Sequence, residues 1–473
     1  MFDYLINQKK LSFITRANRF LNPIRAVSEA STIGEKKRFI NFIIFLKIFL
    51  KLFIFFKNSL LSLSNLRNNQ KKFKKCDILI ISHLLKPNFV NKKDDFYFGN
   101  ISNYLNKIKK KNFRLLINHS NLNSCYLNEK NKNKYQFIIP KQLDLSTEIK
   151  IFLLQLKEIF KVFFFIKGLN KSFLYSYIHS SFESETVDAI RVYFFLKKNL
   201  KYLNPKKIIF TYEGYSWEKL IIKSSKEFNK KIKCIGYQHV VINNYNFGLL
   251  RKINGEYKPD LIWSNGKISK RILSKSKNFK NKIYNIGYLK KKEEVNFKHF
   301  KKKSLKVLVI PEGIYSECKK LFEYSFECAK NNKDIKFVWR LHPVIDKKKL
   351  EKIVNFNFNN IPKNIIISNQ KISLDSKKCS HVLYRGSAAV IESIIWGCQP
   401  IYLNYDKKIY FDPLVYLNYK KDVVVHSYDL KKAIIKKKSK KDLIIFEKKV
   451  KDFYNNTFGD IDYKKIRLSL KKN

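Results

Sequence analysis

Short, continuous apolar runs of strand length recur along this chain, and most are followed by a stretch with helical spacing. CDILIIS (76–82) and FRLLINH (113–119) come first. KKIIFTYEG (206–214), KIKCIGYQH (231–239), PDLIWSNG (259–266) and KIYNIG (282–287) continue the series, with helical periodicity over 147–166, 184–200 and about 216–228. A sheet with one wet face would alternate polar and apolar residues. Unbroken runs fit parallel strands covered on both faces. Strands alternating with helices predict βαβ units in a doubly wound sheet.

The series breaks at YLKKKEEVNFKHFKKKS (288–304), which is charged and lacks apolar periodicity. It then restarts with LKVLVIPEG (305–313), a helix over 314–331, IKFVWRLHP (335–343), a helix near 346–355 and NIIIS (364–368). SHVLYRGS (380–387), a helix over 387–396, QPIYL (399–403) and DVVVH (422–426) complete it. A chain of 473 residues has room for two or three cores. The expected division is an N-terminal helical, membrane-associating segment (1–72), one α/β domain (73–290), a linker (291–304), a second α/β domain (305–427) and C-terminal helices (428–473). Ligands of such sheets bind beyond the carboxyl ends of the strands, at the switch point. The two domains are therefore expected to face each other across a cleft.

The chain carries 97 Lys and Arg against 38 Asp and Glu, a net charge of +59. Such a balance suits anionic lipid, anionic substrates or nucleic acid. The lysines are spread along the whole chain, and Asn, Ile, Phe and Tyr are abundant with them, the pattern of AT-rich coding drift. Nucleic acid is not the expected partner. Residues 39–56, FINFIIFLKIFLKLFIFF, are the most apolar segment, but Lys47 and Lys51 interrupt it. Its reading is an interfacial helix on an anionic membrane surface, a buried helix or a span. The N-terminus shows no basic region followed by an apolar one, so no secretory signal is expected. Seven cysteines without a CxxC pair indicate neither a disulfide framework nor a zinc site and fit a reducing cytoplasm. The expected location is cytoplasmic, peripheral on the inner face of the membrane.

The candidate chemistry lies just after the strands. In the second domain, Glu312 ends the first strand and Arg340 and His342 end the next; guanidinium and imidazole are phosphate donors. YRGSAAVIES places Arg385, Gly386, Ser387 and Ala388 at a helix start, where backbone amides bind phosphate. Ser387 is the expected N-cap. Glu392, one turn on, either accepts from ribose hydroxyls or complements the helix dipole. In the first domain, Glu213 is the candidate general base. Glu218 is a second carboxylate or a capping residue. His83, Asp95, Gln238 and His239 are the remaining acceptor-side candidates. No GxxxxGK[ST] and no strand-linked GxGxxG is present, which argues against a P-loop NTPase and an ordinary NAD site. Asp460 and Asp462 form a DxD, but in a polar tail rather than at a sheet edge, and Arg, His and a helix start meet the phosphate, so no metal is expected.

RLHP (340–343) resembles the His-Pro motif of bacterial sialyltransferases and related capsule enzymes. RGSAAVIES (385–393) is similar to their Ser-rich phosphate motif, and YEG (212–214) to their acidic-acidic-Gly motif. The YEG…WE…GYQH layout over 212–239 also resembles surface-carbohydrate (O-antigen) biosynthesis proteins. Tyr212 stands where the first acidic residue would be, and Ala388 where the second Ser would be. The resemblance implies a GT-B glycosyltransferase of surface polysaccharide biosynthesis, with a CMP-sugar favoured as donor. It implies His342 and Ser387 on the donor phosphate, Glu213 as base and no cofactor beyond the nucleotide-sugar substrate. The acceptor would be a glycan or lipid-linked glycan. A polyol-phosphate (CDP-glycerol type) transferase is the alternative enzyme. A basic nucleic-acid-binding protein or a non-catalytic peripheral membrane protein is the alternative of another class.

Overall fold

The computed structural model describes residues 12–17, 73–120, 122–165, 171–242, 246–276, 278–279, 282–290, 292, 305–343, 345–405, 411–436 and 438–471. The expected helix at 39–56 lies outside them, as does the linker apart from Lys292. The chain divides into two units. The first holds Met1–His239, Asn246–Lys291 and Asp460–Asn473, and the second holds Val240–Tyr245 and Lys292–Gly459. The expected C-terminal block at 428–473 is thus split, because its last helix, Tyr463–Lys471, joins the first unit. There Trp263 Nε1 donates to Ser469 Oγ at 2.9 Å, and Ile466 and Leu470 enter the core.

The first unit is built on a seven-stranded sheet: β1 (Ile78–Leu84), β2 (Asn112–Asn118), β3 (Gln136–Ile139), β4 (Lys207–Thr211), β5 (Lys233–Gln238), β6 (Leu261–Ser264) and β7 (Ile283–Asn285). Their order is β3-β2-β1-β4-β5-β6-β7, and every pair is parallel. Six of the seven follow from the apolar runs. The seventh, QFII, is a four-residue edge strand too short to stand out. Chain direction across the sheet reverses between β1 and β4, which opens the switch point there. Val, Leu, Ile and aromatic side chains fill the sheet's faces; each fully buried one contributes about 1.5–3 kcal/mol.

Residues 12–17 depart from the membrane-associating reading of 1–72. Phe13 stacks on Tyr193 at 4.2 Å, Ile14 and Ala17 are buried, and Ser12 N donates to Glu158 Oε1 at 2.6 Å. Packing within the unit satisfies this apolar turn.

The second unit carries β8 (Lys306–Ile310), β9 (Lys336–Arg340), β10 (Ile365–Ser368), β11 (His381–Tyr384), β12 (Gln399–Leu403) and β13 (Asp422–Val424). The order is β10-β9-β8-β11-β12-β13, again all parallel, so the switch point lies between β8 and β11. Its core gathers around Trp339, Phe322 and Phe337. Two helices are shorter than the periodicity predicts. The one expected near 346–355 covers Lys347–Glu351, and the one expected at 387–396 covers Val390–Ile394.

Candidate functional site

In the first unit the carboxyl ends of four neighbouring strands, β2, β1, β4 and β5, bring one polar cluster together. His83 is the penultimate residue of β1, and His119 follows β2. Thr211 closes β4, with Glu213 two residues on, and His239 follows β5. His83 Nδ1 sits 2.7 Å from His119 Nε2, and His83 Nε2 sits 3.0 Å from Thr211 Oγ1. Glu213 Oε1 lies 3.3 Å from His239 Nε2. Tyr97 bridges the two halves, its ring 5.3 Å from that of His83 and 4.7 Å from that of His239. Trp217 flanks His83 on another side, 4.8 Å between ring centres.

Burial sets the charge state of these rings. His83 is held well below the usual imidazole range, first by burial and then by His119 and His239. Burial and the nearby Lys141 lower His119 to about 4. His239 is lowered to about 3 by burial, with Lys290 adding to it. Around neutral pH all three rings are neutral and so can each donate from one nitrogen and accept at the other. The Tyr97 hydroxyl is pushed up by burial and by Glu213 and Asp95, so it stays a donor.

The turn that carries Glu213 is fixed by Glu218. That carboxylate is fully buried and accepts from the N–H groups of Glu213 (2.8 Å), Gly214 (2.7 Å) and Tyr215 (2.9 Å). Burial and the Glu213 charge push its pKa well up, against the pull of the three amides. Glu218 therefore holds the helix start Ser216–Phe228, and its acceptor-side assignment is corrected to a positioning role. Gly214 is required for the same turn: its φ is +93°, and an added Cβ would lie 2.1 Å from the carbonyl carbon of Gly248. Tyr212, at the departing motif position, is fully buried and packs on Gly236. Strand alternation turns it into the core, so Glu213 alone of the pair reaches the edge.

Asp95 is also committed internally. Its Oδ1 accepts from Ser82 Oγ (2.8 Å) and from the N–H groups of Tyr97 (2.8 Å) and Phe98 (2.9 Å), and Arg114 lies 3.7 Å away. It shapes the loop that delivers Tyr97, which corrects its reading as an acceptor-side contact. Gln238 is fully buried at the end of β5. His119, Thr211, Tyr97 and Trp217 were not singled out from the sequence as site residues. His119 follows an apolar run just as His83 does, so the strand-end rule already pointed to it.

In the second unit, Glu312, His342 and Gly386–Ser387 follow the ends of the adjacent strands β8, β9 and β11. The Glu312 carboxylate lies against Gly386: an added Cβ there would sit 2.7 Å from its carboxyl carbon. Gly386 has φ +73° and Ser387 is 5% exposed. Ser387 is not the N-cap. That place falls to Ala389, and a helix of five residues offers little dipole. Two arginines depart from the phosphate reading. Arg340 Nη1 is paired with Asp375 and donates to Gln370 O at 2.6 Å. Arg385, 2% exposed, donates to Glu317 Oε2 at 3.0 Å and lies 4.1 Å over the Tyr405 ring. Both guanidiniums hold carboxylate partners within their own unit. Ala388 and Glu392 are exposed, and His342 is half-buried with its carbonyl accepting from Ile345 N. Among the described residues no group of three His, Cys, Asp or Glu side chains is placed to hold a metal ion. No helix among them is long and apolar enough to cross a membrane.

No protein-family model and no curated protein matches the chain. Solved structures similar to it include the UDP-GlcNAc 2-epimerase of Neisseria meningitidis bound to UDP-GlcNAc, at 14% identity and a TM-score of 0.45 over 84% of this chain and 100% of that one. Anabaena HepE in complex with UDP and glucose overlays at 10% identity and a TM-score of 0.45, covering 84% of this chain and 100% of that one. The glycotransferase of kitacinnamycin overlays at 9% identity and a TM-score of 0.46, covering 84% of this chain and 98% of that one.

Proposed function

We propose that this chain is a glycosyltransferase of surface polysaccharide biosynthesis that moves a sugar from a nucleotide-activated donor to a glycan acceptor, lipid-linked or free. One observation carries the proposal: the Glu213–His239 pair, 3.3 Å apart at the carboxyl edge of a parallel sheet. Glu213 accepts the proton of the attacking acceptor hydroxyl. Neutral His239 orients the carboxylate by donating to it from Nε2. The hydroxyl oxygen then forms its bond to the anomeric carbon as the bond to the nucleotide phosphate breaks. The aromatic faces of Tyr97 and Trp217 supply an amphipathic wall suited to a sugar ring.

The second unit binds the donor. His342 donates to the phosphate, and the Ser387 hydroxyl and the amides after Gly386 add to it. Glu312 is the carboxylate for ribose or sugar hydroxyls, in preference to the exposed Glu392. A CMP-sugar is the favoured donor, on the RLHP and RGSAAVIES resemblance.

The test is a thermal-shift panel of CMP, CDP, UDP and GDP, followed by nucleotide release from the matching sugar donors. The binding nucleotide raises the melting temperature by linkage, and His342→Ala removes that rise. Glu213→Gln keeps the shift but lowers turnover by about 10²–10⁴-fold. Full turnover in Glu213→Gln, or a flat response to all four nucleotides, overturns the proposal.

A further inference from the structure

The helix Leu145–Phe165 turns an apolar face outward. Phe160, Phe163 and Phe164 are 58%, 55% and 70% exposed, and Leu153 and Ile149 extend the same face by 57% and 36%. At about 100° per residue these five side chains fall within roughly 100° of arc, a continuous stripe. Lys150 and Lys157, both exposed, and half-buried Lys161, which also reaches Glu158 at 4.0 Å, form a row along one flank of it. The two carboxylates of the helix, Glu148 and Glu158, point the other way and are buried at 0% and 2%. Arg191 pairs with Glu148 at 2.9 Å, and Ser12 N donates to Glu158. The outward face therefore combines aromatic rings and lysines and carries no acid.

We infer that this face is a membrane-docking surface for an anionic bilayer. Phenyl rings enter the boundary between headgroups and acyl chains, and the lysine row meets lipid phosphates. Charge selects this occupant. A second copy packed face to face would set two lysine rows against each other in a chain already at +59. Anionic lipid neutralises the same row. The surface is separate from the catalytic cluster and stands independently of the glycosyl-transfer reading.

The test is flotation of the full chain with vesicles of phosphatidylcholine alone or mixed with phosphatidylglycerol. Wild type floats with the anionic vesicles. The variant F160S/F163S/F164S partitions on the order of a hundredfold less, since three apolar side chains no longer leave water. Its melting temperature stays that of wild type because those rings are already exposed. K150Q/K157Q/K161Q weakens binding and flattens its salt dependence. Independently, Phe164→Trp shows a blue-shifted emission with anionic vesicles only. Unchanged flotation of the triple Phe variant places docking elsewhere in the chain and overturns the inference. So does absence of flotation by wild type, or a wild-type dimer that the Phe variant converts to monomer.

Discussion

The imidazoles of His83 and His119 are 2.7 Å apart, so one must donate and the other accept. A second proton would put two cations in contact. Both rings titrate below the ordinary value of 6.5, so the unfolded chain binds more protons than the folded one as pH falls below that value. Stability from these rings is fully present above about pH 6.5 and is lost progressively below it. The full slope for one ring is about 1.4 kcal/mol per pH unit. His119 is crowded by protein on one side, which lowers it, but its side chain still meets solvent, so water screens it and it delivers only a fraction of that slope. Urea melts between pH 7 and pH 5 should show the loss, and His83→Asn/His119→Gln should flatten it. An unaltered slope in that variant would mean that other groups set the acid limit.

At the scale of elements, the helix Ser216–Phe228 is anchored by a carboxylate that never sees solvent. Glu218→Ala leaves three amides, of Glu213, Gly214 and Tyr215, without their acceptor. Each stranded donor costs about 1–3 kcal/mol. The variant should melt several degrees lower and lose turnover, because the Glu213 backbone is no longer held. Donor affinity, which the proposal assigns to the second unit, should persist. In that unit Gly386→Ala must displace Glu312 and strain a φ of +73°. Its expected result is weaker nucleotide binding, read by calorimetry, with turnover at saturating donor largely kept. Equal binding by the two proteins would remove Glu312 and Gly386 from the donor site.

The whole molecule carries +59 on two units, each with its own sheet and core. Like charges spread along a chain oppose the compact state, and salt screens them over a Debye length of about 10 Å at 0.1 M. Raising sodium chloride from about 0.05 to about 0.5 M should therefore raise the melting temperature by a few degrees. A melting temperature indifferent to salt would show the surface lysines to be locally compensated.

Most strands were legible in the sequence because strands buried on both faces must be apolar throughout. QFII was not, being four residues long at a sheet edge. The strand-end rule also placed His83, Glu213, His239, Glu312 and His342 on carboxyl edges, since chain order fixes which residue follows a strand. What each side chain does there depended on neighbours distant in sequence. Arg385 and Arg340 read as phosphate ligands until Glu317 and Asp375, which sit on other elements, claimed them. Glu218 resolved to a capping role only when three amides converged on it, and Asp95 to a loop brace only when Ser82 and Arg114 closed round it. The sequence by itself determined two parallel α/β units, because apolar periodicity is local information. Tertiary structure decided which charges remain available for chemistry, because burial and pairing are properties of the folded neighbourhood.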